Sequence, residues 1–130
     1  MEPEQRDETV RLTVPPTLEH LRLVRLTTAG VASRLGFDVE EIDDLRVAVD
    51  ELAGLVLERA RGPLEVTFTT VHGALRIAGE APTGEPDATG PVSVDTLTRQ
   101  ILAAVADDWD VDAGGGRARF CCVRRIPDRR

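Results

Sequence analysis

The stretch Asp38–Arg61, DVEEIDDLRVAVDELAGLVLERAR, constrains the fold more than any other part of the chain. Ile42, Leu45, Val49, Leu52 and Val56 recur at alternating intervals of three and four, which places all five on one stripe of a long helix. Both ends are marked. Asp38 is an N-cap acceptor with Glu41 three residues on, the spacing of a capping box, and Phe37 and Ile42 are spaced as a hydrophobic staple. Arg59 and Arg61 place positive charge near the negative end of the helix dipole, and Gly62–Pro63 predicts the stop. Beside the apolar stripe runs a second one, Asp44, Ala48, Glu51, Leu55 and Glu58, on which the functional side chains are expected.

The rest of the chain supplies what such a helix packs against. Val10, Leu12 and Val14 alternate with polar residues, the period of a half-buried strand, and Pro15–Pro16 ends it. Thr17 is expected to cap a helix that turns Leu21, Val24, Thr28, Val31 and Leu35 inward and stops at Gly36. Leu64–Val71 and Ala74–Ala78 are alternating runs on either side of His72–Gly73, a hairpin signature. GEAPTGEPDATGP, residues 79–91, has no apolar period and reads as a long loop. A third helix is expected from Ser93 or Asp95 to about Ala106 with Leu97, Ile101, Leu102 and Val105 inward, then a hairpin turning at Gly114–Gly116 and ending near Ile126. Strand, two helices, hairpin, loop, helix and hairpin specify an α+β two-layer sandwich, with helices on one face of a mixed, mostly antiparallel sheet. One domain spanning 1–130 is expected, with disorder at 1–7 and 127–130 and a lid-like loop at 79–92.

Composition removes several classes of function. A net charge of −7 argues against direct nucleic-acid binding, which needs a basic stripe. No apolar run is long enough to span a membrane and MEPEQRDETV lacks a signal-peptide core, so a cytoplasmic location without membrane contact is expected. Cys121 and Cys122, adjacent in a strand, point to opposite faces, and with His20 and His72 the only histidines no metal-ligand cluster is expected. His72 reads as a turn residue. The acids between Asp38 and Glu51 read mainly as a solvated face, and alternatively as a docking face for a basic partner.

The run RLTTAGVASRLGFDVEEIDDLRVAVDE, Arg25–Glu51, closely resembles the corresponding run of RsbW-type anti-sigma factors, a serine-kinase branch of the GHKL (Bergerat) ATP-binding fold. The order of elements agrees along nearly the whole chain. The resemblance implies a protein that holds an RNA polymerase sigma factor inactive and releases it to an unphosphorylated anti-anti-sigma protein of the STAS fold. Many members phosphorylate that competitor on serine with ATP and magnesium, and members commonly pair, so a homodimer is a further expectation. By the same resemblance Arg25 lies on the surface that meets both partners, with Arg22 beside it.

The nucleotide motifs depart from the family pattern in three places. Glu51 matches the Glu that acts as general base, but Leu55 stands where an Asn would hold magnesium, and leucine offers no oxygen. The Asp-any-Gly segment that accepts from the adenine amino group is matched here by Gly79, Glu80 and Ala81, with the only carboxylate one place along and so turned to the other face. The glycine-rich phosphate cradle is matched by Val94–Thr98, which has no glycine and adds Asp95. Gly114–Gly116 reads as a strand turn and not a phosphate loop, because no helix follows it. The expected function is therefore protein binding without a cofactor. The alternative is an active serine kinase using Glu51 with ATP and magnesium in a divergent site, and a third reading is a sensor that takes another ligand in the vacated pocket.

Overall fold

The computed structural model describes residues 8–84 and 90–128. Six strands, β1 Thr9–Val14, β2 Leu64–Val71, β3 Ala74–Pro82, β4 Gly90–Pro91, β5 Asp108–Gly114 and β6 Arg117–Arg125, form one sheet in the order β1-β2-β3-β6-β5-β4. Three helices, α1 Leu21–Arg34, α2 Val39–Leu57 and α3 Thr96–Val105, make the second layer. The sheet is antiparallel as mostly expected, and every described strand pair is so. The reason lies in the connections. An α1–α2 hairpin returns the chain to the end of the sheet it left, so β2 runs back beside β1, and β6 is inserted between the co-directional β3 and β5.

The core lies between the sheet and α2. Leu45, Val49, Leu52 and Val56 of the apolar stripe are fully buried, while Ile42 is only partly covered. Burying each of the two leucines contributes about 2 kcal/mol, and the buried alanines Ala48 and Ala53 let the helix sit close to its neighbours. Against them stand Leu64, Val66 and Phe68 of β2, Leu75 and Ile77 of β3, and Phe120 and Cys122 of β6, each alternating with residues on an open face. The capping box forms as its spacing predicts: the Asp38 carboxylate accepts from Glu41 N–H at 2.8 Å and the Glu41 carboxylate from Asp38 N–H at 2.8 Å. In the β2–β3 turn His72 and Gly73 both take positive φ, 49° and 78°, the geometry of a type I′ hairpin.

Several boundaries differ from the sequence reading. The long helix ends at Leu57, not near Arg61. Arg59 and Ala60 N–H turn inward to Val56 and Leu57 carbonyls, and Arg61 N–H bonds to Pro82 O at 2.7 Å, anchoring the chain to β3 before Gly62 is reached. Gly62 serves a close passage instead: a side-chain carbon there would stand 2.6 Å from Pro82 Cγ. A 3₁₀ turn, Leu18–His20, precedes α1, and Thr17 Oγ1 meets His20 Nδ1 at 2.7 Å rather than capping a helix. In α1 the fully buried residue near the end is Ala32, with Val31 and Leu35 half-buried. β3 continues four residues past Ala78 to Pro82, and Gly90–Pro91 pairs with β5, so the ends of the expected 79–92 loop are strands. Its centre at 85–89, and residues 1–7 and 129–130 of the ends expected to be disordered (1–7 and 127–130), lie outside the described residues, whereas Pro127 and Asp128 are described. Leu97, expected inside, is 66% exposed, because α3 rests on α2 through Leu102 and its half-buried neighbours.

Candidate functional site

The second stripe of α2 is less uniform than its spacing implies. Asp44 pairs with Arg124 at 3.3 Å, and Arg124 also donates to Val105 O at 2.6 Å, so this corner ties α2, β6 and the end of α3 together. Ala48 is fully buried. Leu55 is half-buried and packs on the core. Glu51 is half-buried, and its carboxylate forms no hydrogen bond or ion pair among the described residues.

The residues matched to nucleotide recognition fit neither adenine nor magnesium. Gly79 and Ala81 face the helix layer, where Ala81 is buried, and the space above Gly79 holds the ring of Phe120. Glu80 lies on the opposite, open face and bonds there to Arg117 at 2.9 Å, with Arg119 at 3.9 Å. Asp95 caps α3, accepting from Thr98 N–H at 2.7 Å. That backbone bond holds its carboxyl below the usual carboxylate value, so a fixed anion occupies the helix N-terminus. Leu55, one turn on from Glu51, offers a metal no oxygen. Among the described residues no group of three His, Cys, Asp or Glu converges.

A shallow trough of about 360 Å³ lies on the open face of the sheet, away from Glu51, with Glu80, Arg119 and Asp112 along it. Three of its charges are cross-paired: Arg119 reaches both Glu80 and Asp112.

The outer face of α1–α2 is different in character. Arg25 donates its Nε hydrogen to both oxygens of Asp50, at 2.8 and 2.9 Å, and each side chain is 37% exposed. Arg22 is exposed one turn earlier. On the same two helices Leu23, Leu26 and Val47 are 45%, 63% and 40% exposed, and Leu18 in the 3₁₀ turn before α1 is 71% exposed. Sequence reasoning named Arg25 but missed Asp50. The signal was available: the two positions lie at similar distances from the interhelical turn at 35–38. It also passed over Leu23 and Leu26, which fall off the buried stripe of α1 and are apolar all the same. Phe120 above Gly79 gave no local signal, because the pairing depends on the register of β3 with β6.

No family model matches the chain. Curated relatives do: the serine-protein kinase RsbW of Bacillus thuringiensis (strain Al Hakam) and that of Bacillus anthracis are each 30% identical over 77 residues, covering 56% of this chain and 48% of theirs. The serine-protein kinase RsbW of Bacillus cereus (strain B4264) is 34% identical over 77 residues. The chain thus spans about half the length of the curated relatives it matches. Among solved structures, the RsbU and RsbW domains of Rv1364c from Mycobacterium tuberculosis superpose with a TM-score of 0.72 at 17% identity, over 94% of this chain and 34% of that one. Along the aligned stretch this chain is thus similar in sequence to RsbW serine-protein kinases, and over nearly its whole length it shares the fold of the RsbU–RsbW structure.

Proposed function

We propose that this chain is a protein-binding regulator of the anti-sigma type that works without nucleotide. Its partners are a sigma factor, a STAS-type anti-anti-sigma protein, or both. The observation that carries this reading is the exposed side of α1, α2 and the 3₁₀ turn before them, which presents Leu18, Leu23, Leu26 and Val47 together with a guanidinium braced by Asp50. Exposed apolar residues and an oriented charge on one helix pair suit a protein contact, because the aliphatic groups supply area while the charge supplies register. The pocket side of α2 supports the second half of the reading, since Leu55, Gly79 and Ala81 offer an incoming nucleotide no polar partner.

The test is calorimetry of the purified chain with each sigma factor and each STAS protein of its own cell. One of them binds, and Arg25→Glu weakens that binding at least tenfold. Unchanged affinity on charge reversal would count against the proposed surface.

The relatives are serine-protein kinases, which favours the alternative of an active kinase that phosphorylates an anti-anti-sigma protein through Glu51. A melt with ATP and magnesium separates the two. A ligand at a hundred times its dissociation constant stabilises by about 2.7 kcal/mol, and the nucleotide-free reading requires no shift.

A further inference from the structure

Gly79 and Phe120 are direct partners across β3 and β6, and both face the helix layer. A side-chain carbon built on Gly79 would stand 2.2 Å from Phe120 Cε2, 2.7 Å from Cζ and 2.9 Å from Cδ2, well inside van der Waals contact. The ring therefore fills the volume that any side chain at 79 needs. Phe120 is itself buried, and so are its neighbours on the same face: Val111 across the β5–β6 pair, Ile77 and Ala81 on β3, Ala118 and Cys122 on β6. Buried neighbours along the sheet on both sides restrict where the ring can swing.

We infer that Phe120 is an internal plug of the nucleotide pocket, seated where the RsbW-type pattern places its adenine-accepting carboxylate. The inference rests on the nucleotide-free reading above and deepens it: exclusion is enforced by core packing and not by missing polar groups alone. An aromatic ring edge offers adenine no acceptor, and a base entering there has to expel a core side chain. A polar group restored at position 55 leaves that obstacle in place. A carboxylate restored at 79 collides with it.

The test couples two positions and adds a ligand arm. Thermal midpoints are measured for wild type, Gly79→Ala, Phe120→Leu and the double variant, because leucine lacks the two ring atoms that come nearest. Gly79→Ala is expected to lower the midpoint by about 5 °C or more, and the same alanine is expected to cost clearly less in the Phe120→Leu background. If Gly79→Ala alone does not accumulate folded, its recovery in the double variant reads the same coupling, and failure of both counts against the plug. Millimolar ATP with magnesium is then added to wild type and to Leu55→Asn, and neither melt is expected to move. Additive losses, or a response from Leu55→Asn alone, overturn the plug and leave the protein-binding reading intact. A response from wild type overturns both the plug and the nucleotide-free reading.

Discussion

Arg25 on α1 gives its single Nε hydrogen to both carboxylate oxygens of Asp50 on α2, and its side chain makes no other hydrogen bond with the described residues. The pair braces the stem of the guanidinium and leaves its outer nitrogens to a partner. At 37% exposure on both sides such a bridge contributes about 0.2–1 kcal/mol. Arg25→Ala is expected to lower the thermal midpoint by a few degrees at most while reducing partner binding tenfold or more. A large loss of stability without loss of binding would make Arg25 a structural residue only.

Leu52→Ala removes a fully buried side chain from the middle of α2. The expected cost is about 3 kcal/mol, since the sheet beneath cannot close over the gap. Urea unfolding reads this as a lower midpoint at unchanged slope, and a cost below 1 kcal/mol would show that α2 is not the helix on which the core is assembled.

His72 takes a positive φ of 49° in the β2–β3 turn, where a residue with a Cβ pays a steric penalty. Asn-Gly is the sequence best suited to this turn. His72→Asn is expected to stabilise by roughly 0.5 kcal/mol, visible as a small rise in the thermal midpoint with an unaltered circular dichroism spectrum.

Burial pushes the Cys122 thiol up to about 12 from an ordinary 9.0, and Cys121, half-buried on the open face, rises for the same first reason. A raised value for an acid means that the folded state holds the neutral thiol more firmly than the unfolded chain does. The associated stability is complete below about pH 9 and drains away as pH climbs toward 12. Thiol titration of the native protein at pH 8 is expected to report Cys121 slowly and Cys122 only after denaturation. Cys121→Ser should then abolish the native signal.

The sequence disclosed what repeats locally. The stripe of α2, its capping box and the His72–Gly73 turn all follow from spacings within a few residues, and each is present. Leu97 shows where that logic stops: periodicity identifies the apolar face of α3 but not how much of the face a neighbour covers. Gly62 was read as a helix breaker because Gly-Pro so often is, whereas a contact with Pro82 decides its identity. In the candidate site the same division holds. Leu55 was legible as a missing oxygen, but Asp50 beside Arg25 and Phe120 over Gly79 are meetings between distant segments, fixed by helix pairing and strand register and by nothing near them in the chain.

β4 pairs only with Asp112 and Ala113 of β5, so among the described residues the outer rim of Asp108–Val111 carries no neighbouring strand. Asp108 and Asp110 stand along that rim, and Asp108 even turns a carboxylate oxygen onto the Trp109 amide at 2.9 Å. Like charges keep two such rims from zippering together. Replacing both carboxylates, Asp108→Asn with Asp110→Asn, removes that repulsion and leaves the rim open to edge-to-edge pairing.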